Sequence, residues 1–372
     1  MARALIKEIK DAKKNYIING NFNFWQRTNV TQTYGAQITY HADRFAWAAG
    51  TITGAVLSAR ANPNVYSNTS IIPRSCVYAQ QYICSTAQAS LGANATAGPW
   101  YKMEGYDFNE ALEQGGLLNG ITLSFYVASS TTGTYTIEFT NSGTNNRYFK
   151  TYTITSAGTW QRISMYLTGA ELATGIGSGT WDYANGVGLL VRFWLAAGTT
   201  SQGVAQNLWT GSTANVPATQ PNIFSALNNT WSITGLAMTI GNVVPDFKIR
   251  GDSPDDEYSL CRRYYEKSYA VNTNPGAVAG SPFSWKNVNA NITGGLYAQK
   301  DIPFTVPKRA IPTVRLYSET TGTIDKLRDL TAGADVTTAS NNGFETGCIA
   351  FTSVAPTAGN LFSAHFTADA EL

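Results

Sequence analysis

At 372 residues the chain exceeds one typical domain, which predicts two domains, each long enough to bury a core. Only 13% of residues are charged while 12% are aromatic, against a usual charged share of about 25%, which is the composition of an all-β, turn-rich protein with a largely uncharged surface. A net charge of +2 without a long basic run excludes the electrostatic footprint of a nucleic-acid binder, and no run approaches the roughly 18 apolar residues of a membrane-inserting helix.

The N-terminus, MARALIKEIKDAKK, lacks the apolar stretch and cleavage site of a secretory signal, which predicts a product made in the cytoplasm. Residues 2–14 read as a short helix with Leu5, Ile9 and Ala12 on one stripe and Lys7, Lys10, Lys13 and Lys14 mostly elsewhere. A helix this short is marginal alone. It either frays or anchors the chain to a partner or to sister chains through residues 1–14.

The stretch 15–27, NYIINGNFNFWQR, places strand formers Tyr16, Ile17 and Ile18 before Asn19-Gly20, which tolerates positive φ, and then sets Phe22 and Phe24 on one parity. It reads as the opening of a β-sandwich, with Phe22, Phe24 and Trp25 in core and sheet-edge packing. From there to about residue 250, strands are legible by alternation. Ile121, Leu123, Phe125 and Val127 share one face; Tyr135, Ile137 and Phe139 share another; Leu189, Val191, Phe193 and Leu195 a third. WQRISMYL and WSITGLAMTIG add further strands, S-T-T-G at 130–133 is a turn, and the polar stretch 198–230 is too long for a structureless loop and hides one more strand.

The texture changes at GDSPDDEYSLCRRYYEKSY. Ser253 suits an N-cap, Pro254 the first helical position, and Asp255, Asp256 and Glu257 the positive end of the helix dipole. Leu260, Cys261, Tyr264 and Tyr265 form the apolar face of this helix. SPFSWKNVNANIT, IPFTVPKRAIPTVRLYS, TGCIAFTSVA and LFSAHFTADAEL follow as strands, their prolines pointing to sheet edges. The expected organisation is an N-terminal anchoring helix over 1–14, a jelly-roll β-sandwich over 15–250 and a smaller α+β, mostly β, domain over 251–372. No fixed-period repeat appears, which disfavours a β-helix or propeller.

Four cysteines show no C-x-x-C spacing. If Cys76 and Cys84 share one continuous strand, their sulfurs lie roughly 26 Å apart, too far to bridge, so free structural thiols are expected. Only two histidines exist, His41 and His365, and neither G-x-S-x-G, H-E-x-x-H nor a phosphate-binding glycine loop is present. The enzymatic rival is glycoside hydrolysis, which needs only two carboxylates. The first domain offers Asp43, Glu104, Asp107, Glu110, Glu113, Glu138, Glu171, Asp182 and Asp246, of which Asp107, Glu110 and Glu113 read as the solvated face of a short helical turn.

The ordered set NYIINGNFNFWQR, YHADRFAW, GLLNGITLSFYVASSTTGTYTIEF, GTWQRISMYL, WSITGLAMTIG and DEYSLCRRYYEKSY resembles phage virion proteins, chiefly tail-fibre and related appendage subunits. The resemblance implies a jelly roll similar to carbohydrate-binding modules and a C-terminal helix of the form E-x-x-x-C-x-R-Y-Y. It implies a structural, non-enzymatic subunit of the virion, assembled in the host cytoplasm, trimeric with itself and attached to another virion protein, with a role in host-surface or glycan attachment. A head decoration or spike protein and a polysaccharide depolymerase are the alternatives. Modules of this shape often hold calcium with an acid in the opening turn; here Asn21 stands there, and hard divalent ions prefer carboxylates, so neither a metal nor a cofactor is expected.

Sugars are held by aromatic faces and planar polar side chains. Opposite the core parity stand Tyr126, Glu138, Arg192 and Trp194, and the loop aromatics Trp181, Tyr183 and Trp209 are placed to flank them. Tyr126, Arg192 and Trp194 form the expected sugar platform, although the same side chains also suit packing against neighbouring subunits. Parity points Trp194 away from the core unless a bulge between Gly188 and Trp194 flips the face. The Tyr-rich helix face, with Tyr258, Cys261, Tyr264 and Tyr265, exceeds what one small domain can bury and is expected at a subunit interface.

Overall fold

The computed structural model describes residues 14–27, 32–34, 39–143, 145–217, 220–281, 283–286, 299–338, 342–352, 357 and 359–372. The expected helix over 2–14 lies outside them save for Lys14. The chain divides into two compact units, the first made of Met1–Asn23, Val30–Glu257 and Leu372, the second of Phe24–Asn29 and Tyr258–Glu371. The division thus falls inside the Pro254–Arg262 helix rather than near residue 250, and the second unit takes residues 24–29. Pairings over 200 residues of sequence place that segment there: Phe24 stacks on Tyr258 at 5.0 Å, and Gln26 Nε2 donates to the Tyr265 carbonyl at 2.8 Å. Phe24 and Trp25, expected in the sandwich, therefore belong to the second unit.

The strands of the first unit, in chain order, are β1 (Gln32–Tyr34), β2 (Thr39–Tyr40), β3 (Phe45–Gly50), β4 (Ala55–Ala61), β5 (Ala79–Thr86), β6 (Thr96–Glu104) and β7 (Ile121–Ser129). They continue as β8 (Gly133–Thr140), β9 (Arg147–Ile154), β10 (Gln161–Leu167), β11 (Val187–Trp194), β12 (Ala196–Ala197), β13 (Trp209–Thr210) and β14 (Thr230–Ile240). One sheet runs β1-β4-β5-β14-β7-β10, the other β13-β9-β8-β11-β6-β3-β2 with β12 beside β6. The pairs are antiparallel, as in β7 with β10 and β14, or β11 with β6 and β8. This is a mainly β sandwich, as the alternation predicts. The S-T-T-G turn does not close a hairpin within one sheet. It carries the chain from β7 to β8 across the sandwich, with Gly133 at φ 137°.

Aromatic rings from both sheets meet in the core: Phe125 with Phe193 at 5.3 Å, Phe193 with Trp231 at 5.6 Å, and Trp47 with Tyr82 at 4.9 Å. Helices α1 (Gly105–Ala111) and α2 (Gly169–Ile176) sit between strands, α2 opening on a capping box in which Thr168 and Glu171 satisfy each other's backbone. Among its described residues, the polar stretch 198–230 contributes the two-residue β13, short 3₁₀ turns, an isolated bridge between Gln202 and Val216 and the first residue of β14.

Residues 15–27 form a tight turn rather than a hairpin. Asn19 takes φ 59° as its type allows, but Phe22 also takes φ 54° instead of an extended conformation. The segment is tied to β14 by Tyr16 N–H to the Met238 carbonyl (2.9 Å) and Leu236 N–H to the Gly20 carbonyl (2.8 Å). A Cβ on Gly20 would run into the Leu236 carbonyl, so the approach needs glycine. Phe22 is fully buried against Phe45, as expected of a core residue.

Helix α3 (Pro254–Arg262) begins as its sequence predicts, with Ser253 Oγ accepting from the Asp256 N–H at 3.1 Å. The strands that follow are β15 (Tyr265–Lys267), β16 (Ser284–Lys286), β17 (Gln299–Pro303), β18 (Thr313–Tyr317) and β19 (Lys326–Asp329). Then come β20 (Ala334–Thr337), β21 (Asn342–Phe344), β22 (Gly347–Phe351), β23 (Leu361–Ser363) and β24 (His365–Asp369). They make three small sheets, β15-β24-β18, β16-β23-β19-β20 and β17-β22-β21, around Ile302, Leu316, Leu327, Phe362 and Phe366. β17 and β18, the strands of the proline-rich stretch, are edge strands, where the missing N–H costs no ladder bond. The rest of the expected SPFSWKNVNANIT strand beyond Lys286 lies outside the described residues.

Two expectations need correction. Cys261, Tyr264 and Tyr265 are 0%, 1% and 5% exposed in the single chain, so they offer no face to a sister chain. Half-buried Tyr258 is engaged by Phe24 and by Arg262, whose guanidinium lies 4.0 Å over its ring. Cys76 precedes β5 instead of sharing a strand with Cys84. The four thiols are free and buried, as expected, and burial pushes Cys76 and Cys348 up to about 12.

Candidate functional site

The expected platform of Tyr126, Arg192 and Trp194 does not assemble. Tyr126 lies on β7 in one sheet, Arg192 and Trp194 on β11 in the other. Because their neighbours Phe125 and Phe193 meet in the core, Tyr126 faces outward on one side of the sandwich and the other two on the opposite side. The register shift of β11 falls at Val187/Leu189 and leaves Trp194 outward, so the parity holds; the sheet assignment separates the residues.

On the β11 side, outward does not mean exposed. Trp194 is 3% exposed, packs with Ala197 and Val216, and donates from Nε1 to Glu138 Oε2 at 2.9 Å. Glu138 is held bidentately by Arg147, Nε to Oε1 at 2.8 Å and Nη2 to Oε2 at 2.7 Å, and Arg147 Nη1 reaches the Ser212 and Ala214 carbonyls, pinning the loop that covers this face. Arg192 lies 4.4 Å from the Trp100 ring and 4.8 Å from that of Trp194.

Burial works to raise the Glu138 carboxyl, but the Arg147 hydrogen bonds and the Arg192 and Arg147 charges outweigh it and hold the group below its ordinary 4.5. A depressed carboxyl contributes stability that is complete above the unfolded value and is lost as pH falls through the native one. Unfolding free energy should therefore drop below pH 4.5, and Glu138→Gln should flatten that acid limb. Denaturant titrations at a series of pH values check this; an acid limb identical in both proteins would remove Glu138 as its source.

The loop aromatics pack on the protein itself. Trp181 stacks on Phe108 at 5.2 Å and meets Trp209 edge-on at 5.6 Å, and their indole N–H groups donate to the Gly175 and Glu171 carbonyls. Tyr183 remains exposed, at 38%. The carboxylates of α1 are not simply solvated: Asp107 pairs with Arg250 at 2.5 Å, and Glu110 with Lys14 and Arg250. His41 bonds the Tyr82 hydroxyl at 2.6 Å in the core, while His365 donates from Nε2 to the Ala279 carbonyl and accepts at Nδ1 from Ser268. Among the described residues no group of three or more His, Cys, Asp or Glu could hold a metal ion.

The Tyr126 side carries an open groove of about 670 Å³, within the range of small-molecule sites, about 300–1,000 Å³. Its floor is Tyr126 and Trp160, packed with Ala79 and Ala128 and covered from one side by Tyr66, Ile71 and Ile72. Tyr66 meets Trp160 edge-on at 5.4 Å, and Trp160 Nε1 donates to the Pro63 carbonyl at 2.8 Å. The cover is tied down by Ser67 N–H to the Gly158 carbonyl, Trp160 N–H to the Ser67 carbonyl and Asn68 Nδ2 to the Trp160 carbonyl. Behind Tyr126, β14 shifts register at Thr234/Ala237. Gly235 sits there at φ 59°, where a Cβ would strike the tyrosine ring.

Arg162, the cross-strand partner of Tyr126, has its guanidinium 5.6 Å from that ring and donates to the Pro245 carbonyl at 2.6 Å. Asp246 completes the rim, with Gln161, Thr159 and Ser156 along the other wall. Burial raises the Tyr126 phenol, with the Arg162 charge opposing. Of the expected sugar-binding residues only Tyr126 lies here, joined by Asp246 from the candidate carboxylates. Arg162 was legible from the parity of QRISMYL, where Ile163, Met165 and Leu167 face inward; Asn68 and Asp246 carry no local signal.

No family model matches this sequence, and no curated protein matches it. Among solved structures, the chain overlaps the carbohydrate-binding module TmCBM61 in complex with β-1,4-galactotriose at 9% identity and a TM-score of 0.27, covering 61% of this chain and 99% of that one. A putative sugar-binding protein from Bacteroides thetaiotaomicron overlaps at 10% identity and a TM-score of 0.28, covering 61% and 100%. The enzymatically active domain of tailspike protein 4 from bacteriophage CBA120 overlaps at 11% identity and a TM-score of 0.20, covering 61% of this chain and 21% of that one. The fold assignment rests on the sheets themselves, not on these overlaps.

Proposed function

We propose that this chain is a structural subunit of a bacteriophage virion appendage, of the tail-fibre kind, whose first unit holds a host-surface glycan in the Tyr126 groove. The observation that carries the glycan reading is that groove. An aromatic floor, a guanidinium, a carboxylate, amides and hydroxyls converge on one concavity with Arg162 and Asp246 exposed at its rim. The phage context rests on the ordered sequence motifs. In this reading the protein is assembled in the host cytoplasm into the virion, trimerises, and docks on another virion protein through residues 1–14.

The chain is read as non-catalytic. Asp107, Glu110 and Glu138, three carboxylates a hydrolase would draw on, are held in ion pairs. A head decoration or spike protein is the alternative placement, and a polysaccharide depolymerase the alternative activity.

Arg162→Ala and Asp246→Asn should each weaken glycan binding roughly tenfold or more, the cost of one lost charge-assisted hydrogen bond. Both side chains belong to exposed residues, so melting curves should not move. Glycan-array titration of wild type and variants reads the effect. Unchanged binding would remove the groove from the reading, and release of reducing ends from host polysaccharide would favour the depolymerase.

A further inference from the structure

The second unit carries a groove of its own, about 510 Å³, over one face of the β15-β24-β18 sheet. Register sets the floor in two rows, Tyr265, Asp369 and Thr313 in one, Thr367 and Arg315 in the next; Lys267, the cross-strand partner of Thr367, is buried with its Nζ on the Val271 and Thr273 carbonyls and does not line the groove. The opposite face of the same strands bears Val314, Leu316, Phe366 and Ala368 and belongs to the hydrophobic core, so the groove face is the polar side of a half-buried sheet.

Its polar groups are fixed in place. Arg27 lies 3.9 Å over the Tyr265 ring and pairs with Asp369 at 3.0 Å and with Glu371 at 3.4 Å. Arg315, half exposed, uses Nη1 on Asp325 at 2.8 Å. Thr313 and Thr367 line the same space, and half-buried Tyr317 forms one wall, its ring held edge-on by Tyr269.

We infer that this groove is a second saccharide site, one that takes a neutral polyhydroxylated ligand of one or two sugar rings. The lining decides the class by charge. Two guanidinium groups, Arg27 and Arg315, stand against two carboxylates, Asp369 and Glu371. A phosphorylated or sulfated ligand would meet the carboxylates and a cationic one the arginines, each at a cost in a partly desolvated site. Neutral vicinal hydroxyls meet neither penalty: they donate to the carboxylate and accept from the guanidinium and threonine groups, with a ring face against Tyr317. Two sites on one chain would raise avidity through effective concentration without any new contact.

The test uses the full chain on an array of neutral and anionic oligosaccharides, comparing wild type, Arg162→Ala, and Arg315→Ala/Thr367→Val. Arg162→Ala weakens the first groove alone. It should retain a set of neutral oligosaccharides, and adding Arg315→Ala/Thr367→Val should weaken those roughly tenfold or more. Arg315→Ala alone serves if the double variant fails to fold, since its guanidinium is exposed. Residual binding indifferent to the second-groove changes, a residual set confined to anionic saccharides, or no binding once Arg162 is replaced would each overturn the inference. So would second-groove variants that lower the solution mass by sedimentation while leaving every glycan bound, which would make the groove a contact between copies of the chain. Glycan binding that Arg162→Ala leaves unchanged and Arg315→Ala/Thr367→Val weakens would instead fail the proposed first site and leave this one standing.

Discussion

Trp194→Ala is expected to destabilise the first unit by about 3–5 kcal/mol, the usual range for truncating a buried tryptophan. The indole is enclosed by Ala197 and Val216, and the loop above it is fastened to the sheet by Arg147 through the Ser212 and Ala214 carbonyls. Removing the ring opens a cavity that this fastened loop cannot readily fill. It also takes a donor from Glu138 Oε2, leaving that buried oxygen to Arg147 alone. Urea unfolding followed by circular dichroism measures the loss, and the glycan binding proposed for the Tyr126 groove on the opposite face should persist in protein that is still folded. A variant as stable as wild type would mean that the 202–216 segment does not cover this face in solution.

Lys308→Met should cost the second unit a similar amount, about 3–5 kcal/mol, because it strands a buried carboxylate. The Lys308 side chain is 0% and that of Glu266 5% exposed, and their Nζ–Oε2 distance is 2.7 Å. Nζ also donates to the Arg262 and Val306 carbonyls at 2.7 and 2.5 Å, while Glu266 Oε1 accepts from the Thr305 N–H and hydroxyl. Burial holds the Lys308 ammonium below its ordinary 10.5, with the Glu266 charge opposing, so the pair is sustained by a complete set of partners rather than by solvent. Methionine fills the aliphatic volume but leaves Oε2 without its cation and two carbonyls without a donor. Replacing both members, Lys308→Met with Glu266→Gln, should recover a substantial part of the loss, since a neutral amide needs no counter-charge. Differential scanning calorimetry on single and double variants decides between them; a double variant no better than the single one would show that the loss comes from the two carbonyls, not from the stranded charge.

What was legible in the sequence is what neighbours along the chain determine. Alternation at period two located β7, β8, β10, β11 and β14 and assigned the inward faces of β7, β8 and β11 correctly, because side-chain direction in a strand is a local property. The Ser253 cap, the proline and the three acids announced α3 because a helix N-terminus is satisfied within its own first turn. The prolines of 299–317 marked edge strands for the same kind of reason.

Which strands share a sheet, and what lies over each outer face, depended on tertiary structure alone. Tyr126 and Arg192 have the same outward parity, yet β7 and β11 pair in different sheets, so the two residues face opposite sides of the sandwich. Trp194 points away from the core and is still buried, because a loop some 20 residues downstream folds over it. Arg162 and Asp246, far apart in sequence, meet at one rim, and residues 24–29 join a unit whose remainder begins at Tyr258. Each of these outcomes is a pairing between distant segments, where the free energy of burying a face selects the partner and no local pattern encodes it.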